Sequence, residues 1–304
     1  MGTTLKELSQ KFARKQPDQV DQLTEEAPVL GVIPFEQASH GLWNMYEEVD
    51  DITGAGWVEM NAPLPALDVV GNLRKVDLSI LGGEIECPED TAHLFGGKES
   101  YFSRKLPKVI RKSGMSAESR ILYDNFRAYA LKNKTAIHAG SSNNSNYSIL
   151  AVRFVSGETC GLYSPECFAQ GSLLNTLPIN GGNLYKSTTG KYQGVLVHGV
   201  RLKSYLGLQI ASKKSVAALV NINKDNVPTE AMVDDLLAAV RAVPGSTYLF
   251  MHEKARNLLF RYKASALHIV SGGKDMDRQI THWNGVEIVT SYNFLDGTEK
   301  AVTV

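Results

Sequence analysis

"GKYQGVLVHGVRLKSYLGLQIASKKSVAALVNIN", residues 190–223, is the stretch on which the fold turns. It is rich in Val, Leu and Tyr, is interrupted by Gly, Ser and Lys, and ends in the apolar run "SVAALVNI", so it reads as β-structure. With "YSILAVRFV" at 147–155 it defines a β-rich region over 147–222 that starts after the polar break "AGSSNNSN". A helix is predicted from about Pro228, because Val233, Leu236, Leu237 and Val240 form one stripe and Pro244-Gly245 stops it. "TYLFM" (247–251) then reads as a buried strand and "HEKARNLLFRYK" (252–263) as another helix. In "THWNGVEIV" (281–289), Asn284-Gly285 between two alternating runs predicts a two-residue hairpin with positive φ at both turn positions.

Upstream, residues 98–134 read as helix. Ser116 is a candidate cap for an amphipathic segment in which Ile121, Leu122, Phe126, Tyr129 and Ala130 recur at three and four. From about Gly41 to Gly97 the texture is extended: "KVDLSILGGEIEC" alternates on both sides of Gly82-Gly83, which suggests a second hairpin, and "NAPLPALD" supplies prolines that suit an edge or loop. This excursion is poor in large apolar residues for a closed core, so it lies on the rest of the protein or reaches another subunit. At the start, Thr4-Leu5-Lys6-Glu7 fits a capping box, and Leu5, Leu8 and Phe12 form a thin helical stripe before Pro17. A stripe that narrow cannot build its own core, leaving either a frayed terminus or an arm that packs on a neighbour.

Composition excludes several classes. The 304 residues are 43% hydrophobic and 21% charged, ordinary for a globular protein with a sizeable core. Lys+Arg and Asp+Glu are both 32, and a net charge of zero argues against a protein that lives by phosphate contacts. Three cysteines, Cys87, Cys160 and Cys167, lack the dense spacing of a disulfide scaffold and suggest a reducing compartment. The amino-terminal residues carry Lys6 and Glu7 where a signal peptide needs an apolar core, and the apolar runs are too short to span a bilayer, so no membrane association is expected.

No catalytic, cofactor or metal motif completes itself. His252-Glu253 opens like a zinc-protease motif, but Arg256 stands where the second histidine belongs. Cys160 and Cys167 are too far apart for a zinc knuckle, and Gly54-Ala55-Gly56 is half of a dinucleotide fingerprint with Glu59 in the third glycine's place. Gly97-Lys98, Gly190-Lys191 and Gly273-Lys274 each lack the rest of a phosphate loop, and no Gly-x-Ser-x-Gly elbow exists. The sequence therefore offers no catalytic residue, no cofactor site and no metal site. His198 and His268 lie in strand-like runs, where a structural role is the plain reading.

The order of elements resembles the major capsid proteins of tailed bacteriophages, whose fold is named after phage Hong Kong 97. The resemblance spans nearly the whole chain. It is carried by "NYSILAVRFVSGETCGLYSPECFAQGSLLN" (146–175), by residues 190–223, and by the closing "ITHWNGVEIVTSYNF" (280–294). It rests on apolar and glycine positions, not on a reactive motif.

The resemblance implies an α+β chain with an N-terminal arm (1–40), an extended loop (41–97), a peripheral domain (98–146 and 273–304) and an axial domain (147–272). The closing hairpin would complete the peripheral domain's sheet and bring the chain's end beside the long helix. Candidate inter-subunit contacts are Leu5, Leu8 and Phe12 of the arm and Trp57, Arg74, Lys75, Gly82 and Gly83 of the loop. The implied function is a shell of hexamers and pentamers around viral DNA, found in the virion and assembled in the host cytoplasm. The implied partners are further copies of the chain, a separate scaffolding protein, a portal protein and an optional decoration protein. Packaged DNA would be contacted weakly and without sequence specificity, since a neutral chain neither grips nor strongly repels a dense polyanion. The alternatives are an encapsulin-like shell around enzyme cargo, and an enzyme whose site converges on His198 or His138.

Overall fold

The computed structural model describes residues 3–5, 7, 22–52, 55–60, 62–64, 66–67, 69–166, 174–188, 190–260 and 281–303. Two sheets and one long helix build the body, and a two-stranded ribbon leaves it. The first sheet has six strands in the order His282–Trp283, Val286–Thr290, Thr247–Met251, Tyr147–Arg153, Val216–Ile222, Ala136–His138. Its centre explains the apolar runs: Val216–Ile222 is buried at every residue, and so are residues 148–152, because both faces are covered.

Successive side chains serve different layers. Leu150, Val152, Ala218 and Phe250 belong to one apolar cluster with Leu122, Phe126 and Ala130 of the long helix. Ile149, Ala151, Leu219 and Leu249 belong to another with Val233 and Leu236 of the helix Glu230–Ala239 and Leu259 of the helix Glu253–Phe260. The sheet is thus sandwiched between helices, with the period of two setting which residue faces which layer. Thr229 caps the helix Glu230–Ala239 by accepting from the Met232 N–H.

The closing hairpin forms as its sequence predicts: Asn284 has φ 48°, Gly285 has φ 80°, and Trp283 faces Val286. Its place differs from expectation. Val286–Thr290 pairs in parallel with Thr247–Met251, so the hairpin extends the six-stranded sheet, and the segment after it returns to the long helix. Asp234 fixes the turn by accepting from Trp283 Nε1 and Asn284 Nδ2, both at 2.8 Å.

A second, seven-stranded sheet is organised by the fifteen-residue strand Leu196–Ile210. That strand pairs antiparallel with Ser79–Pro88, Thr159–Tyr163, Asn175–Pro178 and Tyr185–Lys186 along different parts of its length. Here the expected hairpin at Gly82-Gly83 is corrected. Ser79–Pro88 runs straight through both glycines, with Gly83 opposite Leu202 and Gly82 opposite Lys203. Gly82 marks a close approach of two backbones, since a Cβ there would lie 2.9 Å from the Leu202 carbonyl oxygen.

The long helix is continuous over 98–132, with a seven-residue π segment, Ile121–Arg127, between two α segments. It starts after Gly97, at φ 113°, so Ser116 is an exposed interior residue and not its cap. Ile110, Gly114, Glu118, Leu122, Phe126 and Ala130 are its buried residues, a strict spacing of four. A pure α-helix turns that ridge off the core by about 40° every four residues. The wider π turns slow the drift, which keeps Leu122, Phe126 and Ala130 on the sheet.

The first residues are also redrawn. Thr3–Thr4 pairs with Pro34 and Phe35, and the capping box is present: Thr4 N donates to Glu7 Oε2 at 3.0 Å and Glu7 N to Thr4 Oγ1 at 3.4 Å. Leu5, expected to contact a neighbour, is fully buried in its own chain's core with Val29, Leu122 and Phe126. Its β-pairing at residues 3–4 folds the chain back onto the body, which leaves Leu5 nothing to offer outside. Leu8, Phe12, Gly54, Cys167, His268, Gly273 and Lys274 lie outside the described residues.

Candidate interaction surface

Trp43–Ile52 and Val69–Asp77 form an antiparallel ribbon that pairs with neither sheet. Its base is fixed to the body. Leu78 N donates to the Leu42 carbonyl at 2.8 Å, Asn44 Nδ2 donates to Gln209 Oε1 at 2.6 Å, and Gln209 Nε2 donates to the Gly157 carbonyl at 2.6 Å. The His40 and Trp43 rings stack with centroids 3.5 Å apart, Lys75 Nζ lies 5.4 Å from the Trp43 ring, and Val76 packs on the buried Leu78 and Leu162.

Away from the base the ribbon loses its support. Two strands alone are marginal in water, and here Met45 and Leu73 are exposed. Between the strands Trp57 is fully exposed, and Met60, Leu64 and Leu67 are 92%, 84% and 60% exposed. Four large apolar side chains held out on one projection are the signature of a surface awaiting a partner, and Trp is the residue type that most often anchors one. The segment 43–77 is also acidic, with seven Asp or Glu against two Lys or Arg. Glu48 pairs with Arg74 at 2.8 Å and Asp77 with Lys75 at 2.9 Å, so both cations are satisfied inside the ribbon.

The structure therefore sorts the candidate contacts. Trp57 stands free at the tip, Arg74 and Lys75 stiffen the ribbon, Gly82 and Gly83 lie inside a paired strand, and Leu5 is core. Met60, Leu64 and Leu67 went unremarked in the sequence, although "NAPLPALD" signals them: prolines at an edge leave neighbouring leucines without a ladder to join.

Two buried glutamates, also unremarked, hold the body on which the ribbon sits. Glu118 Oε2 accepts from Val29 N at 2.8 Å and Leu30 N at 3.2 Å, while Oε1 accepts from Asn293 Nδ2 at 2.9 Å and from Ser291 Oγ. Burial pushes its carboxyl above the ordinary glutamate value, and the four donors pull the other way. Glu299 accepts from Ser148 Oγ and Tyr123 Oη, both at 2.5 Å, and lies 3.5 Å from Arg127 Nη2. Its carboxyl too is raised, first by burial. The sequence signal was Glu118 itself, a carboxylate four residues before Leu122 on the apolar stripe.

The residues weighed for chemistry are engaged structurally. His138 Nδ1 accepts from Gly140 N at 2.7 Å, and His198 Nδ1 lies 3.2 Å from the Gly182 carbonyl oxygen. Cys87 and Cys160 are buried free thiols, and burial first, then Glu36, pushes Cys160 up to about 12. Among the described residues no helix is long and apolar enough to cross a membrane.

Comparison with known proteins places this architecture. No protein-family model matches the chain, and no curated protein matches it by sequence. Solved structures do. A chain of the structure of bacteriophage Epsilon15 is 14% identical at a TM-score of 0.58, covering 89% of this chain and 88% of that one. The capsid of bacteriophage JBD30 aligns at a TM-score of 0.52 with 10% identity, over 89% and 92% of the two chains. The holo-SrpI encapsulin complex from Synechococcus elongatus PCC 7942 aligns at 0.46 with 13% identity, over 65% and 88%. The α+β fold is that of these two bacteriophage structures.

Proposed function

We propose that this chain is a major capsid protein of a tailed bacteriophage, assembling as hexamers and pentamers into a shell that encloses the viral DNA. The observation that carries the reading is the ribbon 43–77, projecting from a phage-capsid fold with Trp57, Met60, Leu64 and Leu67 uncovered at its tip. A free subunit that kept those side chains in water would gain by burying them on another copy. At about 25 cal/mol per Å² the four side chains offer several kcal/mol per contact before ordering costs, enough to drive assembly when repeated around a closed symmetric particle.

The chain would work in the virion, after assembly in the host cytoplasm with a separate scaffolding protein, a portal protein and, on the outside, a decoration protein. Its net charge of zero suits a wall that holds DNA without gripping it. The test is to express the chain alone and with its neighbouring gene products and to examine the purified material by sedimentation and electron microscopy. Closed hollow particles, or rings of five and six, are expected. A monodisperse monomer at high concentration in both preparations would overturn the reading.

A further inference from the structure

The charge of the chain is unevenly placed. The long helix over 98–132 holds nine Lys or Arg and three Asp or Glu, leaving 23 and 29 for the rest of a chain whose totals are 32 and 32. Most of the helix's cations are engaged: Lys98 with the Gly182 carbonyl, Lys105 with the Phe95 ring, Arg111 with Glu25, Arg120 with Asp124, and Arg127 with Glu299. Arg104, Lys108 and Lys112 are not, nor is Lys132 at the helix's last residue. All four are exposed, among the described residues no carboxylate pairs with them, and the first three are neighbours on the helix surface.

These three recur every four residues, so the three cations rise in steps of about 6 Å and turn by about 40° at each, which keeps them on one face. That face lies away from the buried ridge Ile110, Gly114 and Glu118. Positions 104, 108 and 112 carry no apolar side chain; Met115, Tyr123, Tyr292 and Leu295 border Lys112 only at the far end of the row, where a cavity opens, and protein–protein hot spots are built on such apolar and aromatic anchors. A regular row of charges without anchors instead suits the phosphates of a nucleic-acid backbone, which reward charge and ask for no shape.

We infer that the ridge Arg104, Lys108, Lys112 is the surface that faces duplex DNA, and that it sets the long helix on the inner wall of the shell. The identity of the polyanion as packaged DNA rests on the shell reading; the existence of the surface does not. The binding is sequence-independent and falls steeply with salt.

The test titrates unassembled subunits with a random-sequence DNA duplex over a range of salt. It compares wild type, the triple variant R104Q/K108Q/K112Q, and a control triple K213Q/K214Q/K224Q, which removes the same charge from other exposed positions. The ridge variant is expected to bind at least about tenfold more weakly at low salt and to lower the salt slope by about 2 to 3, while the control stays within about 1 of wild type. Its shells, viewed by electron microscopy, should form as wild type.

Equal losses from both triples, or an unchanged slope, would overturn the inference while leaving shell assembly intact. Folded ridge-variant subunits that no longer assemble would show that the ridge meets another copy, the acidic ribbon being the nearest match in charge, and would overturn it too. Tighter binding to poly-glutamate than to the duplex would assign the ridge to an acidic protein instead. Loss of DNA binding from the ridge alone, in a chain that never forms shells, would uphold the surface and sink the shell reading.

Discussion

Asn293 Nδ2 donates to Glu118 Oε1 at 2.9 Å across 175 residues of chain, and the same amide donates to the Glu26 carbonyl at 2.8 Å. Three distant segments, near 26–30, 118 and 291–293, are thereby clamped at one buried carboxylate. Glu118→Ala should destabilise the unassembled subunit by about 2–5 kcal/mol, because it strands several buried donors at once. Urea unfolding of subunits measures it; a loss below about 1 kcal/mol would show that the donors find other partners.

The same carboxylate has a pH signature. Burial holds Glu118 above the ordinary glutamate value, so between the two values the folded chain binds more protons than the unfolded chain. Stability at this site is therefore gained as pH falls and lost as pH rises through the folded value. His252, depressed by burial, pulls the opposite way below its own ordinary value, so the readout is the difference between wild type and Glu118→Gln. As pH is lowered from neutrality towards the ordinary glutamate value of about 4.3, wild type should gain relative to that variant, as read from urea midpoints. A difference independent of pH would mean that Glu118 titrates normally.

The two glycines misread as a turn should behave differently. A Cβ on Gly82 would meet the Leu202 carbonyl oxygen at 2.9 Å, whereas one on Gly83 would meet nothing within 4 Å. Gly82→Ala should cost about 1–3 kcal/mol and Gly83→Ala should fall within about 0.5 kcal/mol of wild type. Equal effects in thermal unfolding would place both glycines in a turn after all.

Leu5 offers a check on where the arm begins. Buried in its own core, it should cost about 2–4 kcal/mol on truncation to Ala, visible in unassembled subunits. A variant with unchanged subunit stability but poor assembly would return Leu5 to the interface.

The legible parts of the sequence were the local ones. Asn284-Gly285 announces its hairpin because both residues tolerate positive φ, and "SVAALVNI" announces a strand covered on both faces. What stayed hidden depends on distant partners. Gly82-Gly83 looks like a turn until Leu196–Ile210 supplies a continuous mate, and Leu5 looks peripheral until Thr3–Thr4 pairs with Pro34 and Phe35. The π segment leaves no composition signal, since it shows only as a buried spacing of four. At the interaction surface Trp57 was reached only through the resemblance, and the exposure of Met60 and Leu64 depends on how far the ribbon stands off the body.

The ribbon tip tests the shell reading most directly. Trp57→Asp combined with Leu64→Asp changes two exposed side chains, so the subunit's thermal midpoint should stay where it is. Electron microscopy of wild type and variant, purified in parallel at equal concentration, should show closed particles for wild type and dispersed folded subunits for the variant. Closed particles in equal yield from both, or no particles from wild type under any condition that assembles its gene neighbours, would contradict the role assigned to the ribbon and to the chain.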